Sequence, residues 1–149
     1  MARKSKSPKA QQTPSTKKRP RTSAEPTRYL KLNPSWRISQ LEMVEPFGWH
    51  KLDPDMADYI KGMLSSFESM TWAEILIDAK KRNHSVPVGD LCKSARQRLR
   101  DMRQEDVDEI VSLRLSGKER VWGILEEGVL RLIWWDPEHQ VCPSQKKNT

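Results

Sequence analysis

Only two cysteines occur in this 149-residue chain, Cys92 and Cys142. Neither sits in a CxxC pair or near two histidines at ligand spacing, so the usual zinc-site patterns are excluded. Two free thiols in a reducing compartment is the plain reading. No run of about 18 apolar residues occurs, so no membrane-spanning helix is expected. The basic N-terminus lacks the apolar stretch of a secretory signal. No internal repeat is evident. These absences predict a cytoplasmic chain with no membrane contact, no metal and no cofactor.

Positive charge is plentiful but unevenly placed. The net charge is +7, yet residues 1–28 hold nine Lys or Arg against one acid, Glu25. The rest of the chain is close to neutral, so the pI near 9.6 belongs to the arm. The arm has no large apolar residue after Met1, cannot offset its chain entropy by burial, and is expected to be disordered. A basic arm favours a polyanion, nucleic acid first, through counterion release. Its Lys17-Lys18-Arg19-Pro20-Arg21 cluster can be read as a nuclear address, but a general electrostatic tether is the simpler view.

A folded unit is expected over residues 29–144, with a frayed tail over 145–149. Trp36 to Val44 reads as a strand, since Ile38, Leu41, Met43 and Val44 lie between two prolines. Pro46 to Trp49 reads as a turn with aromatic anchors. Asp53 is a good N-cap with Pro54 at the first helical position, and Met56, Tyr59, Ile60, Met63, Leu64 and Phe67 share one helical face. Thr71-Trp72-Ala73-Glu74 is a capping box opening a second helix. Lys80, Lys81 and Arg82 in its last turn complement the helix dipole. Asn83 to Gly89 reads as a loop, and His84 and His50 as structural residues. A third helix is expected from Asp90 to Arg103, with Lys93, Arg96, Arg100 and Arg103 along one outer stripe. That stripe is either a solvated face or a phosphate-contacting surface.

The period then changes from 3.6 to 2, predicting strands at Ile110 to Leu115, Lys118 to Leu125 and Val129 to Trp135. On the second of these, Arg120, Trp122 and Ile124 share one face. Asp136 is expected to cap a turn before Pro137, with a short last strand at Gln140 to Cys142. The predicted fold is α+β: a small antiparallel sheet of one N-terminal strand and a C-terminal three-stranded meander, packed on one face by about three helices.

The stretch from Arg114 to Ile133 resembles the central hairpin of the RelE/ParE toxin superfamily. It runs Arg114, the Ser116-Gly117 turn, Arg120-Val121-Trp122, the acidic turn Glu126-Glu127-Gly128, then the apolar strand to Ile133. The order of elements is also similar, with one helix inserted. The resemblance implies a type II toxin. RelE-like members cut mRNA, commonly on the ribosome, whereas ParE-like members inhibit gyrase without cleavage; both pair with a cognate antitoxin that covers the active face. The strand where ribosome-dependent members often carry lysines has only Arg114 here. His139 stands loosely where several members have a terminal His or Tyr.

RNA cleavage without a metal needs a base for the 2′-hydroxyl, an acid for the leaving 5′-oxygen, and cations on the phosphate. Arg114 and Arg120 suit the clamp, because a guanidinium fork matches two phosphate oxygens. His139 suits proton transfer, a role Glu119 or Glu138 could share. Trp122 lies on the Arg120 face and could stack a base; Lys118, Lys93, Arg96, Arg100 and Arg103 complete the expected RNA-binding set. Simpler roles compete: pairing of Arg120 with Glu138 or Glu127, a surface place for His139, and core packing for the tryptophans. The expected function is thus RelE-like mRNA cleavage, with a non-catalytic nucleic-acid-binding or gyrase-inhibiting module as the alternative.

Overall fold

The computed structural model describes residues 27–143. The arm expected over 1–28, but for Thr27 and Arg28, lies outside them, as does the tail over 145–149. Five strands form one sheet: β1 (Ser35–Arg37), β2 (His84–Pro87), β3 (Glu109–Arg114), β4 (Arg120–Glu126) and β5 (Val129–Asp136). Their order is β1-β5-β4-β3-β2. Strands β2 to β5 form an antiparallel meander. β1 joins the β5 edge in parallel, with Ser35 opposite Val129 and Arg37 opposite Arg131.

The α+β class is as the sequence predicts, and the meander strands fall within a residue or two of their expected positions. Other expectations need correction. The sheet is mixed rather than purely antiparallel. The strand expected over Trp36 to Val44 shrinks to three residues, because Ile38, Met43 and Val44 are left exposed. Glu42 is buried in their stead, its backbone N–H donating to the Ile133 carbonyl at 2.9 Å. The loop expected at Asn83 to Gly89 contains β2, and Gln140 to Cys142 is irregular rather than a last strand.

The helices follow their caps. In α1 (Pro54–Phe67), Asp53 accepts the Met56 N–H at 2.8 Å. The capping box forms: the Thr71 N–H donates to Glu74 Oε1 at 2.8 Å and the Glu74 N–H to Thr71 Oγ1 at 3.2 Å. Yet the second helix is only a π-helical turn, Glu74–Asp78. The buried Asn83 amide donates to the Ile75 carbonyl at 3.2 Å and so ties the turn to the chain that follows. α2 spans Lys93–Asp101, shorter than the expected Asp90 to Arg103; Val88–Asp90 is 3-10 and Arg103 has φ 60°.

Helices cover both sheet faces, not one. Val111, Leu113, Val121, Leu130 and Trp135 pack with Ile60, Phe67, Trp72 and Ile75. Ile110, Trp122, Ile124 and Trp134 pack with Ala95 and Leu99 of α2. Two-sided burial is what near-continuous apolar runs such as Val129 to Trp135 require. A bulge then sets the end of β5. Gly123 pairs with Leu132 while Trp122 pairs with Trp134, leaving Ile133 as the extra residue. Ile133 and Trp134 therefore both join the α2-side core. The same shift of parity turns Asp136 to the face that carries Trp122. Gly123 permits this close approach, since a Cβ there would meet the Arg131 carbonyl at 2.6 Å.

Candidate active site

Strand alternation brings a cationic row to the α2-side face at one end of the sheet. Arg114 of β3 lies opposite Arg120 of β4, and Arg120 opposite Asp136 of β5. The next row inward runs His84, Ser112, Trp122, Trp134 across four strands. Arg114 and Arg120 of the first row and His84, Ser112 and Trp122 of the second line a cleft of about 650 Å³, with Lys81, Arg82 and His139.

The arginines are held by backbone, not by carboxylates. Arg114 Nε donates to the Gly117 carbonyl at 3.2 Å, and Arg120 Nη1 to the same carbonyl at 2.8 Å. Gly117 takes φ +49°, the left-handed conformation that glycine adopts most readily, which shapes this shared acceptor turn. Glu138, a candidate partner for Arg120, pairs instead with Lys118 at 2.5 Å. Among the described residues neither Arg114 nor Arg120 has a carboxylate within ion-pair distance. Burial and then the Arg114 guanidinium hold Arg120 below the usual arginine range, against the pull of Asp136. A guanidinium pair placed so is short of negative charge, which an anion entering the cleft can supply.

Asp136 is 1% exposed and its carboxylate is fully engaged. It accepts the Trp122 indole N–H at 3.1 Å, the Gln140 N–H at 2.8 Å and the Val141 N–H at 3.0 Å. Asp136 thus acts as a cap, but of the turn that follows Pro137 rather than one before it, and it fixes the segment that presents His139. His139 sits at φ 58°, a conformation uncommon for a non-glycine residue and frequent at functional sites. Burial first, then Arg120, hold its imidazole below the ordinary histidine range; Asp136 opposes, and Arg114 and His84 add to the depression. At neutral pH it is therefore an uncharged base.

That shift has a consequence for stability. Below pH 6.5 the unfolded chain protonates His139 more readily than the folded chain, so stability falls as pH drops from 6.5 toward the lowered folded value and levels off beneath it. In paired denaturant titrations at several pH values, His139→Gln is expected to lose this part of the slope. Identical pH slopes in both proteins would contradict the assigned environment.

Of the residues singled out in the sequence, Arg114, Arg120, His139 and Trp122 meet at the cleft. Trp122 forms its floor: at 1% exposure, with its N–H bound to Asp136, it offers no ring face for a base. Lys118 points to Glu138. Lys93, Arg96, Arg100 and Arg103 do not line the cleft; Arg96 donates to the Leu91 carbonyl, Arg100 to Gln97, and Arg103 lies beyond the helix. Lys81, Arg82 and His84, which the sequence places at a helix end and in a loop, also belong here. The signal for His84 is its alternation with Val86 before Pro87, a four-residue edge strand that tolerates proline. Among the described residues no group of three or more His, Cys, Asp or Glu is placed to hold a metal ion, and no helix is long and apolar enough to cross a membrane. Comparison with family models, with curated proteins and with solved structures finds no match to this chain.

Proposed function

We propose that the chain is a RelE-like endoribonuclease that cuts mRNA at the ribosome by attack of the 2′-hydroxyl on the adjacent phosphorus. One observation carries this reading: two arginines with no carboxylate within ion-pair distance among the described residues, and a histidine that burial holds below its ordinary range, face the same cleft. Arg114 and Arg120 clamp the scissile phosphate and hold the charge that grows on it. His139 takes the 2′-hydroxyl proton. The backbone-held guanidinium groups require little rearrangement when the phosphate enters. The partners on this reading are mRNA, the ribosome and a cytoplasmic antitoxin that covers the cleft.

The test is incubation with translating ribosomes, followed by mapping of new RNA ends. New 5′-hydroxyl ends matched to 2′,3′-cyclic phosphates, formed equally well in chelator, are expected. Intact mRNA together with salt-sensitive retention of nucleic acid would sink the proposal and favour a non-catalytic binding module.

A further inference from the structure

Transesterification of RNA moves two protons, and His139 accounts for one. The O2′–P bond forms as the P–O5′ bond breaks. The base removes the 2′-hydroxyl proton, and an acid must deliver a proton to the departing 5′-oxygen. Neither water nor any redox partner enters this step. We propose that His84 is that acid, so that the cleft works with a histidine pair on opposite sides of its arginines. The inference rests on the ribonuclease reading of the cleft.

Four observations support the assignment. First, His84 faces the right way. Val86, two residues on, is buried in the α2-side core, so strand alternation puts His84 on the face of Trp122 and Arg120. Second, its position is fixed. His84 pairs with Ser112, and the preceding residue, Asn83, is 3% exposed and locked by two hydrogen bonds. Its amide donates to the Ile75 carbonyl at 3.2 Å, and its Oδ1 accepts the Arg114 N–H at 2.9 Å. One buried amide thus sets the segment carrying His84 relative to the strand carrying Arg114. Third, His84 is exposed within the cleft, where a substrate oxygen can reach it. Fourth, the two imidazoles lie near enough for charge on His84 to disfavour charge on His139.

The charges around the pair come from several elements. Lys81 and Arg82 precede β2, while Arg114 and Arg120 project from β3 and β4. Asp90 and Cys142 close the α2 side. Arg114 and Arg120, placed between the two rings in strand order, are where the phosphate would sit. His139 then addresses one side of it and His84 the other.

A substrate that needs no acid separates this role from a structural one. The probe is an mRNA carrying a single 5′-bridging sulfur at a cut site mapped with wild-type protein, presented on ribosomes. Its thiolate leaves without protonation. His84→Ala is expected to cut ordinary mRNA about 10²-fold more slowly and to cut the sulfur-bridged mRNA at the wild-type rate. His139→Ala should stay slow on both. Thermal unfolding of His84→Ala should match wild type, since the side chain is exposed. Equal slowing of His84→Ala on both substrates, or no slowing on either, would overturn the role of His84 while leaving the ribonuclease reading intact. Failure of the wild-type protein to cut ordinary mRNA would instead overturn that reading, and this inference with it.

Discussion

Arg120→Ala is expected to lower kcat/KM for mRNA cleavage by about 10²- to 10³-fold, equivalent to about 3–4 kcal/mol of transition-state stabilisation. Arg120 sits midway in the row from Arg114 to Asp136 and has no carboxylate within ion-pair distance among the described residues. Its fold contacts are modest, two donations to the Gly117 and Glu119 carbonyls at 2.8 and 3.2 Å. Unfolding free energy should therefore change by about 1 kcal/mol or less. Arg120→Lys keeps the charge but loses the fork that engages two phosphate oxygens, so it should restore only part of the rate. Single-turnover cleavage beside a denaturant titration separates the two effects. An alanine variant that cuts normally would remove Arg120 from the phosphate clamp.

The largest effect on stability is expected away from the cleft, at Glu42. This carboxylate is 9% exposed. It accepts Arg98 Nε at 2.9 Å and Arg98 Nη2 at 2.6 Å, and the indole N–H of the fully buried Trp134 at 3.1 Å. The hydrogen bond to Glu42 is also the main cause that raises the Arg98 guanidinium above its usual range, against the opposing effect of burial. Glu42→Ala strands both donors. Breaking one side of a buried ion pair costs about 3–5 kcal/mol; Arg98 remains one-quarter exposed, so water recovers part of it and about 3 kcal/mol is expected. Glu42→Gln keeps an acceptor and should lose less. The urea midpoint at constant m-value measures this. A loss below about 1 kcal/mol would mean that Glu42 contributes little to closing the α2-side core.

Much of the fold was readable along the chain because its causes are local. The Asp53 cap with Pro54, the reciprocal bonds of Thr71 and Glu74, and the alternation through Arg120, Trp122 and Ile124 each depend on residues a few positions apart. The shortened β1 was not readable, because Ile38, Met43 and Val44 look like strand residues and only long-range pairing shows them exposed. The same limit applied to the second helix, whose capping box is sound but which is only a π-helical turn, tied to the following chain by a hydrogen bond from the Asn83 side chain.

The site divides along the same line. By itself the sequence determined the charged arm, the α+β class and the meander, and it singled out Arg114, Arg120 and His139, which meet at the cleft, since residue type and spacing carry those. Tertiary structure alone decided that Trp122 is floor rather than platform, that the α2 cations stand apart from the cleft, and that His84 joins it. Those outcomes turn on register between strands distant in sequence, and on one extra residue in β5. A shift of one residue reverses every side chain beyond it, and no local pattern around Asp136 records which face it will take.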